Sequence, residues 1–165
     1  MVKKYKEEVE KIKELVRAFL NGKLRISELE ETLERLKVNA KTIEDYTKNI
    51  NIDYSGVEGK ILYQLLPDVV NALIRGCPQD KVRIYFNGCR PHDIGYKVRG
   101  KTIEIIGDVG RGLGNSSQDC KIILIGECED VGKNSTSEFY IEKGYGKIHP
   151  TCMGEVYFGG KKVHP

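Results

Sequence analysis

Val82-Arg83-Ile84-Tyr85-Phe86-Asn87-Gly88, Lys101-Thr102-Ile103-Glu104-Ile105-Ile106-Gly107 and Cys120-Lys121-Ile122-Ile123-Leu124-Ile125-Gly126 are three versions of one phrase, recurring with a period of about 19 residues. A fourth, Phe139-Tyr140-Ile141-Glu142-Lys143-Gly144-Tyr145, carries its glycine one place early. Each phrase is a short strand that ends in a turn glycine, and a fixed period of about 20 residues marks a solenoid. One coil alone cannot bury its apolar face; stacked coils set equivalent residues about 4.8 Å apart and bury it together. At this period Ile84, Ile103, Ile122 and Ile141 form a single inward column, the expected core. Gly88, Gly95, Gly107, Gly110, Gly126 and Gly132 fall in the turns. Asn115-Ser116-Ser117 and Asn134-Ser135-Thr136 share the spacing, which predicts a ladder from Asn115 to Asn134 that satisfies turn backbone.

Outside the repeat the composition changes. Only three of the 18 glycines, Gly22, Gly56 and Gly59, precede Gly76, and all five cysteines follow it. Residues 1–75 therefore read as a helical region, a hairpin plus a capping helix, and residues 76–165 as the β region. Val2, Tyr5, Val9, Ile12, Leu15, Val16, Phe19 and Leu20 recur at three- and four-residue spacing, one face of an amphipathic helix that Asn21-Gly22 ends. Ser27 with Glu30 predicts a capping box for a second helix, with Leu29, Leu33 and Leu36 as its stripe and Asn39 interrupting it. Thr42 caps a short third helix to about Lys48, and residues 51–59 read as a loop. Ile61 to Arg75 is the most apolar helical stretch, and Pro67 is expected to break or kink it. Its width predicts packing on the outer faces of coils two and three, on Ile106, Ile123 and Ile125, and closure of the solenoid's open end.

Bulk chemistry excludes several classes. The net charge is +3, from 27 basic and 24 acidic residues, and neither half forms a basic arm, so nucleic acid is not a partner. No apolar run approaches the roughly 18 residues of a membrane span, and the charged N-terminus is no signal peptide, which predicts a cytoplasmic protein. Abundant lysine and glutamate without tryptophan point to a thermophilic source. The sequons at Asn115 and Asn134 would matter only in a secreted chain.

Candidate chemistry is sparse. Gly110-Arg111-Gly112-Leu113-Gly114 resembles a phosphate loop, but its spacing is GxGxG and it leads into a strand rather than a helix. Cys89, Cys120 and Cys128 show no CxxC spacing, share no column, and Cys89 and Cys128 sit two coils, about 10 Å, apart. Cys77, His92, His149 and Cys152 fall outside the regular frame, and a metal- or ligand-binding enzyme built from them is the alternative reading. No catalytic set and no cofactor site is otherwise legible.

The turns Gly107-Asp108-Val109-Gly110-Arg111-Gly112-Leu113-Gly114 and Gly126-Glu127-Cys128-Glu129-Asp130-Val131-Gly132-Lys133-Asn134 resemble those of the GXGXG domain, found at the end of the glutamate synthase large subunit and in formylmethanofuran dehydrogenase. Ile94-Gly95-Tyr96 takes the matching place in the first coil, and Met153-Gly154-Glu155-Val156-Tyr157-Phe158-Gly159-Gly160 resembles a further coil. The resemblance covers roughly residues 80 to 162. It implies a right-handed parallel β-helix with a structural role beside catalytic domains, and the chain lacks the N-terminal cysteine of an amidotransferase. The expectation is an α+β chain: N-terminal helices, then a parallel β-helix of about 19 residues per coil with four or more coils. It acts as a non-catalytic assembly module with a protein partner or as a homo-oligomer, and carries no cofactor.

Overall fold

The two periodicities, near 3.6 residues before Gly76 and 2 after it, resolve into helices and strands in that order. The structure, a computed structural model, describes residues 2–50, 52 and 55–165. Met1 lies outside the described residues, as do the Val2 side chain of the expected apolar face and Asn51, Asp53 and Tyr54 of the expected loop. The helices are α1 (Val2–Leu20), α2 (Ile26–Arg35), α3 (Ala40–Lys48) and α4 (Val57–Gly76). The strands are β1 (Lys81–Tyr85), β2 (Thr102–Ile106), β3 (Lys121–Ile125), β4 (Glu127–Val131), β5 (Glu138–Ile141), β6 (Gly144–Ile148), β7 (Val156–Phe158) and β8 (Lys161–His164). β1, β2, β3, β5 and β7 stack in parallel as the first strands of five coils, and β8 folds back antiparallel on β7. β4 and β6 form a second, two-stranded parallel sheet. The class is α+β, a helical region followed by a parallel β-solenoid.

The coils do not keep a constant length. Val82 lies on Ile103, an offset of 21; Ile103 lies on Ile122, an offset of 19; Ile122 lies on Phe139 and Phe139 on Val156, an offset of 17 each time. The expected single isoleucine column is therefore two. Ile103 and Ile122 stand in the column Val82-Ile103-Ile122-Phe139-Val156, whereas Ile84 and Ile141 stand in Ile84-Ile105-Leu124-Ile141-Phe158. All four isoleucines are buried all the same. A slip of two residues preserves the face because side chains alternate with period two, so the burial survives while the partners change. In the true register Gly144 stands over Glu127, one place after Gly126 rather than before it.

The two extra residues of coil one lie in its first turn. β1 and β2 are offset by 21, yet the Asp93 N–H donates to the Arg111 carbonyl (2.8 Å), a return to an offset near 19. The excess is the stretch Asn87-Gly88-Cys89-Arg90-Pro91-His92, which bulges toward the helices: Tyr63 of α4 donates its hydroxyl to the Arg90 carbonyl (2.6 Å).

The helices close the end of the solenoid that coil one leaves open. α3 lies on β1, and the Tyr85 N–H on β1 donates to the Thr47 hydroxyl (3.1 Å). An exposed strand edge is a template for unwanted pairing, and α3 covers it. On α4, Asn71 donates to the Asp93 carbonyl (2.7 Å) and accepts from the Gly95 N–H (2.8 Å), which ties the helix to the second turn of coil one. Ile106, Ile123 and Ile125, the expected bed for α4, stay half-exposed instead. One apolar core runs from Ile12 through Leu73 and Ile103 to Val156, so helices and solenoid bury their faces on each other. No helix among the described residues is long and apolar enough to cross a membrane.

Three local expectations change. α4 continues through Pro67: Leu65, Leu66, Val69 and Val70 are buried around the proline, and that packing outweighs the roughly 3 kcal/mol a helix-interior proline costs. Asn39 does not merely interrupt a helix but caps α3, accepting from the Thr42 N–H (3.0 Å), and Thr42 is buried at the third position, donating to Glu8. α2 starts before Ser27, and Glu28 rather than Glu30 reaches back to the cap, accepting from the Arg25 N–H (3.3 Å).

Candidate functional site

Where the helical cap meets the strands, the bulged turn of coil one leaves a groove of about 1100 Å³. α3 contributes Lys48, α4 contributes Lys60, Tyr63 and Gln64, and the solenoid contributes Tyr85 to Arg90, Ile106, Gly107, Asp108, Ile125 and Lys143. Ile106 and Ile125 are register partners, so the strand face supplies an apolar strip two coils wide. Four cationic side chains line the groove against a single carboxylate, Asp108. Arg90 is neutralised by Asp108 (3.5 Å) and by Glu127, both from the coils beneath it. Lys48 sits over the Tyr85 ring (4.7 Å) and 3.7 Å from Glu44. Lys60 and Lys143 make no ion pair among the described residues and are exposed.

The four off-frame residues do not meet. Cys77 is buried at the end of α4, its thiol donating to Gln79 Oε1 (3.3 Å). His92 Nδ1 accepts from the Arg111 N–H (2.8 Å) in the first turn, holding coil one to coil two. His149 and Cys152 are neighbours in coil four, but His149 Nδ1 pairs with the Thr151 hydroxyl (2.8 Å), and the Cys152 thiol turns inward toward the Gly154 carbonyl (3.8 Å). Among the described residues no group of three or more His, Cys, Asp or Glu could hold a metal ion, so these four residues assemble no metal site of that kind. Burial raises the thiols of Cys77 and Cys152, and pushes that of Cys128 up to about 12, with Asp130 and Glu127 adding to the shift. Burial thus disfavours the thiolate, the reactive form of cysteine, at these three positions.

The turn residues also find new partners. Gly88, Gly95, Gly107 and Gly132 have positive φ, while Gly110 has the His92 ring where its side chain would be. Asn134 stacks on Ser116 rather than on Asn115: the Ser116 N–H donates to the Lys133 carbonyl (2.8 Å), and Ser116 and Asn134 share the left-handed conformation, at φ 57° and 53°. Asn115 accepts from the Lys133 N–H (3.2 Å), and the Asn134 N–H donates to the Thr151 hydroxyl (2.9 Å). The expected asparagine ladder fails because the offset here is 18, not 19.

Serines form the ladder that the constant frame hides. Ser117, Ser135 and Ser137 are fully buried. The Ser117 hydroxyl donates to the Gly114 carbonyl (2.7 Å) and lies 2.9 Å from Ser135 Oγ and 2.8 Å from Ser137 Oγ. Ser117 has one proton, so Ser135 and Ser137 are the donors to it. Ser135 Oγ accepts from the Ser137 N–H and Ser137 Oγ from the Cys120 N–H, both at 3.1 Å. All three hydroxyl protons are thus committed to bonds inside the fold. An offset of 18 between Ser117 and Ser135 is the sequence signal that would have found the cluster.

A second cleft of about 610 Å³ lies between α2, α4 and coil one and holds Glu30, Asp68, Arg75, Tyr96, Lys97 and Arg99. Burial, then the charges of Glu30 and Asp93, pushes Asp68 up to about 6, against an opposing pull from Arg75. The folded chain thus holds a proton that the unfolded chain, at 3.8, has released, so stability falls as pH rises through the window from 3.8 to about 6. Asp68→Asn is expected to flatten that slope and to raise the melting temperature at pH 7; parallel thermal scans at pH 4.5 and 7 check it. Comparison of the chain with protein-family models, curated proteins and solved structures returns no match.

Proposed function

We propose that this chain is a non-catalytic structural module of the GXGXG type, which holds a partner subunit against the C-terminal end of its solenoid. The observation that carries the reading is the difference between the two ends. The first coil is covered by α3 and α4. The last exposes Met153 (69%), Val163 (42%) and Phe158 (36%), beside β6, the last strand of its sheet. Solenoid ends need covers, since the terminal coil has apolar surface and strand edge with no next coil. β8 covers part of this end, with Lys161 and Lys162 exposed and His164 Nε2 bonded to the Cys152 carbonyl (2.9 Å). The thiols and histidines engaged within the fold support a role without catalysis.

Tagged chain recovered from its native source under gentle lysis is expected to elute with a stoichiometric protein partner. The double variant Met153→Glu/Val163→Glu is expected to lose that partner while melting within about 2 °C of the parent, because both side chains are exposed. A strictly monomeric chain with nothing bound would sink the reading; self-association that survives the double variant would move the interface elsewhere.

A further inference from the structure

We propose that the groove between the helical cap and coil one binds a small phosphorylated ligand carrying a flat apolar group, of the nucleoside triphosphate class. The groove opens beside the helical cap, whereas the docking residues lie at the other terminus of the coil stack; Lys143, of coil four, is the lining residue that comes nearest to them. Its volume, about 1100 Å³, lies just above the usual range for small-molecule sites, room enough for a ligand of nucleotide size. Its lining divides by chemistry. Ile106 and Ile125 make an apolar strip, with Tyr63 and Tyr85 also in the lining, a surface suited to a planar ring. Lys48, Lys60 and Lys143 come from α3, α4 and the turn after β5, three separate elements that bring ammonium groups to one cavity.

Charge balance decides the sign of the ligand. Of the groove's four cations Arg90 is matched by Asp108 and Glu127, and Lys48 shares Glu44 with Lys41. Lys60 and Lys143 remain without an acidic partner among the described residues. Converging like charges around a concave, partly apolar wall raise the local potential and draw in polyanions. A phosphate chain offers several acceptors in a short length, which suits a cavity lined by more than one ammonium group. An acidic peptide would also answer the charge; the apolar wall is one column of three stacked side chains, Tyr85, Ile106 and Ile125, an area that a single planar ring system covers.

Isothermal titration of the full chain with ATP, with adenosine and with inorganic triphosphate tests the assignment. ATP is expected to bind about tenfold or more tightly than either fragment. Lys60→Glu/Lys143→Glu is expected to weaken ATP by at least about tenfold, with an unchanged ligand-free melting temperature because both side chains are exposed. No saturable ATP binding, or ATP binding unaffected by the double variant, overturns the proposal. Triphosphate binding as tightly as ATP overturns the role of the apolar strip, and a polyglutamate peptide that displaces ATP and binds more tightly overturns the ligand class.

Discussion

Gly126→Ala is expected to cost about 3 kcal/mol or more and to leave a large share of the chain unfolded. Gly126 follows β3 directly and lies over Gly107, which itself follows β2 and lies over Phe86. Here each coil turns out of its first strand, and the carbonyl of the coil beneath occupies the space a side chain would need. A Cβ on Gly126 would fall well under 3.0 Å from the Gly107 carbonyl carbon and oxygen, backbone atoms that cannot move without opening the ladder between coils. Phe86 stands at the same place in coil one without penalty, because no coil lies beneath it. The matched control is Gly88→Ala. Gly88 has φ +75° and nothing within 4 Å of the added carbon, so only backbone strain is at stake, about 1 kcal/mol. Urea midpoints of the two variants decide it: equal losses would show that coil spacing does not limit the fold.

Phe139→Ala is expected to destabilise by about 3–5 kcal/mol. Phe139 is fully buried and occupies the column that Val82, Ile103, Ile122 and Val156 share. A ring fits where the other coils hold aliphatic chains because glycine faces it: Gly114 has the Phe139 ring where its own side chain would be, and at Gly132 the Cys152 thiol takes that space beside the ring edge. Truncation leaves a cavity lined by backbone and by Ile122, a surrounding that cannot collapse into it. Phe139→Leu should lose less. Denaturant unfolding with an unchanged m-value checks both; a loss near 1 kcal/mol for the alanine variant would mean that the coil repacks.

Much of this architecture was legible in the residues. Ile12 and Val16 on α1 and Leu29 and Leu33 on α2 are buried as their helical spacing requires. Ile103 and Ile122 stack as the sequence period predicts, because β2 and β3 are the pair of first strands whose register keeps that spacing. The further coil expected around Met153 to Gly160 is present as β7. The groove was not legible. Its cations lie at Lys48, Lys60 and Lys143, on three elements with no shared spacing, and only the bulge of coil one toward α4 gathers them. Asp68 and Glu30 likewise approach each other only because α2 and α4 pack together.

Alternation and glycine placement determined by themselves that this chain makes helices first and stacked parallel strands after, with isoleucine inward. Tertiary structure decided which residues stack. Burial asks only that an apolar side chain point inward, a condition met at every second position, so coil offsets of 21, 19, 17 and 17 all satisfy it. The choice among those lengths is made by hydrogen bonds between coils: His92 to Arg111, Ser117 to Ser135 and Ser137, and Asn115 to Lys133. Those bonds join residues that no constant period relates, and they form only once the coils are stacked.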